Sequence, residues 1–275
     1  MNIQEITSAQ NPKLKEVALL LDKSKERRSR GLFVVEGLRE ISACIRNGYK
    51  LKSLFFNSEL LSSQGVGDIL SQAEANCSGK ELQVYSLAPH AYSKIAYRES
   101  TEGAVAVVEQ KQLSLDKVVF GKKWDNPLVL VVESVEKPGN LGALLRTADA
   151  CGIDAVLVCD PLTDLYNPNL IRSSLGGIFT NQVVACSSEE ALAWLKKNGI
   201  TVFTAQLQDS EWYYDTDMVQ PTAIVMGTES TGLTDFWREA AKAKIKIPML
   251  GELDSLNVSV SAAVLCYEAV RQRAV

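Results

Sequence analysis

Between Leu128 and Met226 the chain lays down one short apolar run after another: Leu128 to Val132, Ala155 to Cys159, Gln182 to Ala185, Ile200 to Ala205 and Thr222 to Met226. These runs are too continuous for half-exposed strands, which alternate apolar with polar residues. Stretches with helical spacing, such as Leu141 to Cys151, separate them. Strands buried on both faces and joined through helices predict an α/β fold with a mainly parallel sheet covered on each side. That pattern constrains the second half of this 275-residue chain more tightly than any compositional average. In such sheets the crevice beyond the strand C-termini is where ligands bind. The loops leaving these strands are therefore where chemistry is to be sought.

The first half mixes shorter elements. Asn11-Pro12 opens a helix through about Leu21, a basic segment follows, and Gly31 to Val35 reads as a strand. A helix then runs from Glu36-Gly37 to Asn47-Gly48, where glycine supplies a stop. Strands are predicted at Leu51 to Phe56, Leu82 to Tyr85 and Gly103 to Val108, with helices near 66–75 and 89–97 between them. A polar stretch follows. The expected organisation is a small α/β domain over residues 1–110, a linker over 111–125 and a larger α/β domain over 126–275.

Composition removes several function classes. A hydrophobic fraction of 46% and a charged fraction of 23% are those of an ordinary globular protein. No apolar run approaches the ~20 residues of a membrane span, and the opening Met-Asn-Ile-Gln-Glu lacks a signal-peptide pattern, so a cytoplasmic protein without a membrane partner is expected. The six cysteines form no CxxC pair, and the one histidine, His90, reads as part of a turn entering a helix. Neither a metal centre nor a histidine-based catalytic pair follows from them. A net charge of −4 and a pI of about 5.3 argue against non-specific coating of nucleic acid. Locally the balance reverses: residues 13–30 hold seven Lys and Arg, including Lys23, Lys25, Arg27, Arg28 and Arg30, against three acids. Such a run is a solvated helix face in most proteins; it is also the best candidate on this chain for a phosphate-contacting surface.

Three loops stand out. Lys137-Pro-Gly-Asn-Leu-Gly-Ala-Leu-Leu-Arg-Thr-Ala148 follows the first apolar strand, matches neither GxGxxG nor GxxxxGK[ST], and offers Asn140 as an N-cap. By periodicity alone Arg146 is a surface residue of an amphipathic helix. Met226-Gly-Thr-Glu-Ser-Thr-Gly-Leu233 leaves another strand; its glycines permit tight turns, and Glu229 either caps the next helix or serves a ligand. The third is Ile247-Pro-Met-Leu-Gly-Glu-Leu-Asp-Ser-Leu-Asn-Val258. There Ser255 and Asn257 alternate with apolar residues before a long apolar-faced helix, an arrangement that suits holding a ligand or a catalytic side chain.

Together these segments resemble the three signature motifs of the SpoU, or TrmH-like, branch of the SPOUT RNA methyltransferases. The matching residues are Asn140, Gly142 and Arg146-Thr147-Ala148; then Gly227, Glu229, Gly232 and Leu233; then Ile247-Pro248-Met249 and Ser255-Leu256-Asn257-Val258-Ser259. Residues 167–176 look like a further loop of that family. More weakly, the first domain resembles the small α/β RNA-binding domain that precedes the catalytic one in many members, through Ser8 to Pro12, Phe33 to Gly37 with Arg39, and the strand from Gly103. Lys137 and Thr228 depart from the pattern, standing where an acidic residue and an asparagine are common.

The resemblance implies a deep trefoil knot, a homodimer with sites often completed by the other subunit, and methyl transfer from S-adenosylmethionine (AdoMet) to a ribose 2′-hydroxyl of RNA. It implies largely backbone cofactor contacts at Met226, Gly227, Thr228 and Glu229, at Ile247, Pro248 and Met249, and at Leu256, Asn257, Val258 and Ala262. Arg146 is the implied base, with Asn140, Glu229, Ser255 and Asn257 fixing it, the ribose and the loops. A guanidinium is an awkward base because it has no acceptor while charged, and orienting a phosphate or stabilising a developing alkoxide is the milder role. Lys23, Lys25, Arg27, Arg28, Arg30, Arg39, Arg172 and Ser174 are the implied RNA contacts. A recognition domain of this size leans towards ribosomal over transfer RNA. A non-catalytic RNA-binding or assembly protein and a dehydrogenase are the rivals, the latter lacking its glycine fingerprint.

Overall fold

The computed structural model describes residues 3–74, 82–97, 102–121, 123–228 and 231–274. These residues form two compact units, one of residues 1–111 with 164–180, the other of residues 112–163 with 181–275.

In the first unit the chain runs β1 (Ile3–Ile6), α1 (Pro12–Asp22), α2 (Ser24–Arg30), β2 (Leu32–Glu36), α3 (Leu38–Arg46), β3 (Leu51–Phe56), α4 (Ser63–Glu74), β4 (Gln83–Leu87), α5 (Pro89–Tyr92) and β5 (Ala104–Glu109). The second unit begins with β6 (Leu128–Glu133), α6 (Pro138–Cys151) and β7 (Ala155–Cys159). The chain returns to the first unit for α7 (Pro168–Ser173) and α8 (Gly177–Thr180). It then completes the second with β8 (Val183–Cys186), α9 (Ser188–Lys197), β9 (Thr201–Ala205), β10 (Glu211–Trp212), β11 (Thr222–Met226), α10 (Asp235–Ala240), β12 (Ala243–Lys246) and α11 (Val258–Arg273).

Local chemistry sets many of these boundaries. Asn11 caps α1 by accepting from the Lys13 amide at 2.9 Å, with Pro12 at the first helical position. Ser187 and Glu190 form a capping box on α9. Gly152, at φ +64°, ends α6 in the left-handed conformation that glycine adopts without steric cost.

The first sheet has the order β1-β4-β3-β5-β2, parallel between β1, β4 and β3 and antiparallel where β5 meets β3 and β2. Two elements depart from the sequence expectation. The basic segment after α1 is itself a helix, α2, and the strand β1 has no counterpart in the hydrophobic pattern because three of its four residues are exposed at a sheet edge.

Residues 164–180 join this unit through side chains that the hydrophobic pattern does not reveal. Phe33 stacks on Tyr166 with ring centroids 4.3 Å apart, and Tyr49 meets Phe179 edge-on at 5.0 Å. The Tyr166 hydroxyl accepts from the Lys111 amide at 3.0 Å. Arg27 is 2% exposed: its Nε donates to Asp164 Oδ2 at 2.6 Å and its Nη1 to the carbonyls of Leu20 and Leu21 at 2.7 and 3.0 Å. Arg27 is thus an internal tie, which corrects its assignment to an RNA-contacting surface. Ser174 is corrected likewise: it is buried, and its hydroxyl donates to the Ile171 carbonyl at 3.0 Å.

The seven strands of the second unit are ordered β10-β12-β9-β11-β6-β7-β8, and every neighbouring pair is parallel. The near-continuous apolar runs are explained directly: all residues of β6, β7 and β11 are buried. Chain order reverses at β6, with β7 and β8 to one side and the later β11 on the other. The loops after β6 and β11 therefore leave neighbouring strand ends, the switch point at which open α/β sheets form a crevice.

Candidate active site

A cavity of 670 Å³ opens at this edge, within the ~300–1,000 Å³ range of small-ligand sites. All three loops contribute to its wall: Lys137 and Asn140 from the first, Met226 to Thr228 with Thr231 to Leu233 from the second, and Ile247, Met249 and Asp254 to Val258 from the third. A smaller cavity of 270 Å³ shares Lys137, Asn140, Gly227, Thr228 and Val258 and adds Val135 and Glu136.

Each loop is shaped by its own residues. Ser134, directly after β6, has φ 51°, and its amide donates to the Cys159 carbonyl at 2.9 Å. A non-glycine residue in this conformation is uncommon and turns the chain sharply into α6. That helix begins at Pro138 with Lys137 in the cap position, so Asn140 lies in the first turn rather than at the N-cap.

In the second loop Thr228 and Gly232 pair across a tight turn, their amides and carbonyls exchanging bonds of 3.2 and 3.1 Å. The Thr228 hydroxyl lies 2.7 Å from that of Thr231 and accepts from the Thr231 amide at 3.0 Å. The threonine that departs from the family pattern thus closes the turn. A β-carbon at Gly227 would come within 2.4 Å of the Gly232 carbonyl carbon, so only glycine fits there. The helix after this turn takes its N-terminal partner from β6: the buried Glu133 accepts from the Thr234 amide at 3.0 Å and hydroxyl at 2.7 Å.

In the third loop Asn257 caps α11, accepting from the Ser259 amide at 2.9 Å and hydroxyl at 2.6 Å. Its amide nitrogen donates to Asn140 Oδ1 at 3.3 Å, which ties the third loop to the first. Ser255 donates to Asp254 at 3.0 Å.

The sequence-derived residues are therefore partly gathered. Asn140, Ser255 and Asn257 line the large cavity, as do Met226, Gly227, Thr228, Ile247, Met249, Leu256 and Val258; Pro248 and the buried Ala262 do not. Glu229 lies outside the described residues. Arg146 is exposed on α6, lines neither cavity, and makes no hydrogen bond or ion pair among the described residues. The motifs did not point to Gln206 and Gln208 after β9, nor to Arg238, which also line the large cavity; Ser261, within the implied contact run from Leu256 to Ala262, lines it too. The first two could have been found by the rule that loops leave parallel strands towards the ligand. The apolar wall and backbone-rich turns suit a purine, and Asp254 with three cationic side chains suits a zwitterionic tail. No cysteine is among the residues lining either cavity, and burial pushes the Cys151 thiol up to about 11.

Elsewhere, Lys25, Arg28, Arg39 and Arg172 are exposed, with no ion pair among the described residues. Arg172 lies 5.8 Å from the Tyr97 ring centroid. Lys23 pairs with Asp22 at 2.7 Å, and Arg30 with Glu16 and Glu26 at 3.1 and 2.9 Å. Among the described residues no group could hold a metal ion, and no helix is long and apolar enough to cross a membrane.

Comparison with known proteins agrees with this geometry. The SpoU rRNA Methylase family matches residues 127–267, and the MRM3-like substrate binding domain matches residues 11–106. A 23S rRNA (uridine(2479)-2′-O)-methyltransferase of Streptomyces viridochromogenes is 29% identical, over 98% of this chain and 93% of its own. The 23S rRNA (guanosine(2553)-2′-O)-methyltransferase RlmP of Bacillus subtilis is also 29% identical, over 96% of this chain and 98% of its own. An AdoMet-bound rRNA methyltransferase from Sinorhizobium meliloti has a similar structure, with a TM-score of 0.87 at 26% identity over 98% of either chain.

Proposed function

The chain belongs to the SpoU rRNA methylase family, and from that premise we infer that the 670 Å³ cavity is its AdoMet site and the smaller cavity beside it the place of the target ribose. The protein is an AdoMet-dependent RNA 2′-O-ribose methyltransferase, and ribosomal RNA is the favoured substrate. The observation that carries the site assignment is the convergence of three loops on one cavity, tied by the Asn257–Asn140 hydrogen bond.

Bound AdoMet supplies an already electrophilic methyl group, so the protein's task is to align the hydroxyl and handle its charge. Asn140 and Asn257 hold the two loops that border both cavities and fix where the ribose sits. Thr228 and Gly227 shape the turn against which the cofactor lies. Glu229, which follows Thr228 in the motif, is assigned the same positioning role from the sequence resemblance. Arg146 acts on the RNA side: it lines neither cavity of its own protomer, and a charged guanidinium donates but cannot accept, so it orients a phosphate while the hydroxyl proton leaves to water. Lys25, Arg28, Arg39 and Arg172 contact RNA phosphates, which positions the substrate without reading its sequence.

A second copy completes the site. Leu250 and Leu253 in the third loop are 98% and 75% exposed, and Val260 and Tyr267 on α11 are also exposed. Apolar side chains so placed beside a cofactor cavity fit burial against another protomer. The trefoil knot belongs to the same reading: β11 inserts between β6 and β9, and α11 starts only after the chain has passed β12 and returned to the cavity. A cytoplasmic location follows from a ribosomal substrate.

The test is methyl transfer from labelled AdoMet to ribosomal RNA and, separately, to transfer RNA from cells lacking this protein. Incorporation into the ribosomal pool alone is expected. Incorporation into transfer RNA alone would overturn the substrate assignment while leaving the reaction intact.

A further inference from the structure

Arg238 stands in the wall of the large cavity with an unused donor. Its Nε is buried and has no hydrogen-bond partner among the described residues. Its one ion pair among the described residues is long: Nη1 lies 3.7 Å from an Asp235 carboxylate that is 88% exposed, beyond the distance of a charge-assisted hydrogen bond and weakened by solvent. The guanidinium lies beside the second loop, since a β-carbon at Gly232 would be 3.7 Å from Nη2. Nη2 therefore sits at the glycine turn, and Nε, on the same edge of the guanidinium, has no acceptor among the described residues. A buried cationic donor left unpaired is costly, and it is tolerated where a ligand completes it.

The other cations of the wall are differently engaged. Lys246 extends its ammonium to 4.7 Å from the Trp212 ring centroid. Lys137 belongs to the first loop and borders both cavities. Asp254 is the acidic side chain of the described wall and accepts from Ser255.

AdoMet carries one anionic group, the α-carboxylate of its methionyl tail. Resting on the reading of this cavity as the AdoMet site, we propose that Arg238 binds that carboxylate through its Nε–Nη2 edge and so fixes the tail at the Gly227–Gly232 turn. A planar guanidinium edge matches a carboxylate bidentately, and an ammonium in its place would supply charge without the fork. Arg238 is on this account a cofactor-binding residue that discriminates by the tail, remote from the methyl group.

Isothermal titration of the full-length protein with AdoMet and with decarboxylated AdoMet, which differs by the carboxylate alone, tests this. The wild type is expected to bind AdoMet more tightly by about tenfold or more, the worth of a charge-assisted bond. Arg238→Met should erase that preference by weakening AdoMet only, and Arg238→Lys should restore it in part. Equal affinity of the wild type for the two ligands would overturn the proposal, and so would an Arg238→Met protein that binds AdoMet as the wild type does or loses both ligands alike. If Arg238→Met fails to fold, the wild-type preference and the Arg238→Lys protein decide. A wild type that binds neither ligand would instead remove the AdoMet reading itself. A variant altered only in RNA affinity would show that Arg238 meets a phosphate, and would also overturn the proposal.

Discussion

At the residue scale, the exposed Arg146 separates binding from chemistry. It touches neither cavity wall, so Arg146→Ala should leave AdoMet affinity and melting temperature unchanged while methyl transfer falls by about 10²-fold as the RNA loses its alignment. Parallel titration and single-turnover assays check this; an equal loss of affinity would place Arg146 in the cofactor site. Asn257 differs because it does two structural jobs, capping α11 and bridging to Asn140. Asn257→Ala should cost roughly 1 kcal/mol for the lost cap and weaken AdoMet binding too, read by urea denaturation and titration. The sequence made Asn257 legible because Asn and Ser have no business in an apolar run unless something holds them, whereas Arg146 was legible only through the motif resemblance. The motifs that marked Arg146 left Arg238 unmarked, although both are arginines on helices after a glycine-containing loop. Only the fold shows which one borders the cavity.

Elements carry the next level of the account. The second loop works because the backbone at Gly232 lies where a side chain on Gly227 would be. Gly227→Ala must push the Thr228–Gly232 turn open, and AdoMet affinity should fall below detection while circular dichroism still reports the parallel sheet. Retained affinity would mean the turn is not part of the site. The β6, β7 and β11 strands were readable from their continuous apolar residues, and so was their parallel arrangement. The loop after β9 was not singled out, since Gln206 and Gln208 resemble ordinary surface residues until the strand order puts them beside β12 and β11. In the first unit the basic run at 23–30 looked uniform, yet helix α2 splits it by face, leaving Lys25 and Arg28 outside and Arg27 inside. Arg27→Met removes three hydrogen bonds and strands Asp164 without its cation. It should therefore destabilise the protein by about 3–5 kcal/mol, measured by chemical denaturation. Arg28→Met should be silent in that assay and weaken RNA binding.

For the whole molecule, the decisive feature is that residues 164–180 complete the first unit although they lie within the stretch matched by the methylase family. Hydrophobic pattern could not announce this, because Tyr166 and Phe179 read as ordinary loop and helix residues. Their partners Phe33 and Tyr49 are more than 100 residues away in sequence. A fragment ending at residue 111 lacks Asp164, Tyr166 and Phe179 and should expose the Phe33–Tyr49 surface, binding a hydrophobic dye and melting early. Tethering residues 164–180 to it through a flexible linker should restore cooperative melting. Equal stability of the two fragments would contradict the assignment. The central claim, that this molecule transfers a methyl group to a ribose oxygen, is tested most directly by identifying the product. After incubation with AdoMet and unmodified ribosomal RNA, digestion to nucleosides and mass spectrometry should show a single 2′-O-methylated nucleoside with wild-type protein and almost none with Arg146→Ala. A base-methylated nucleoside, or undiminished product from Arg146→Ala, would contradict the account.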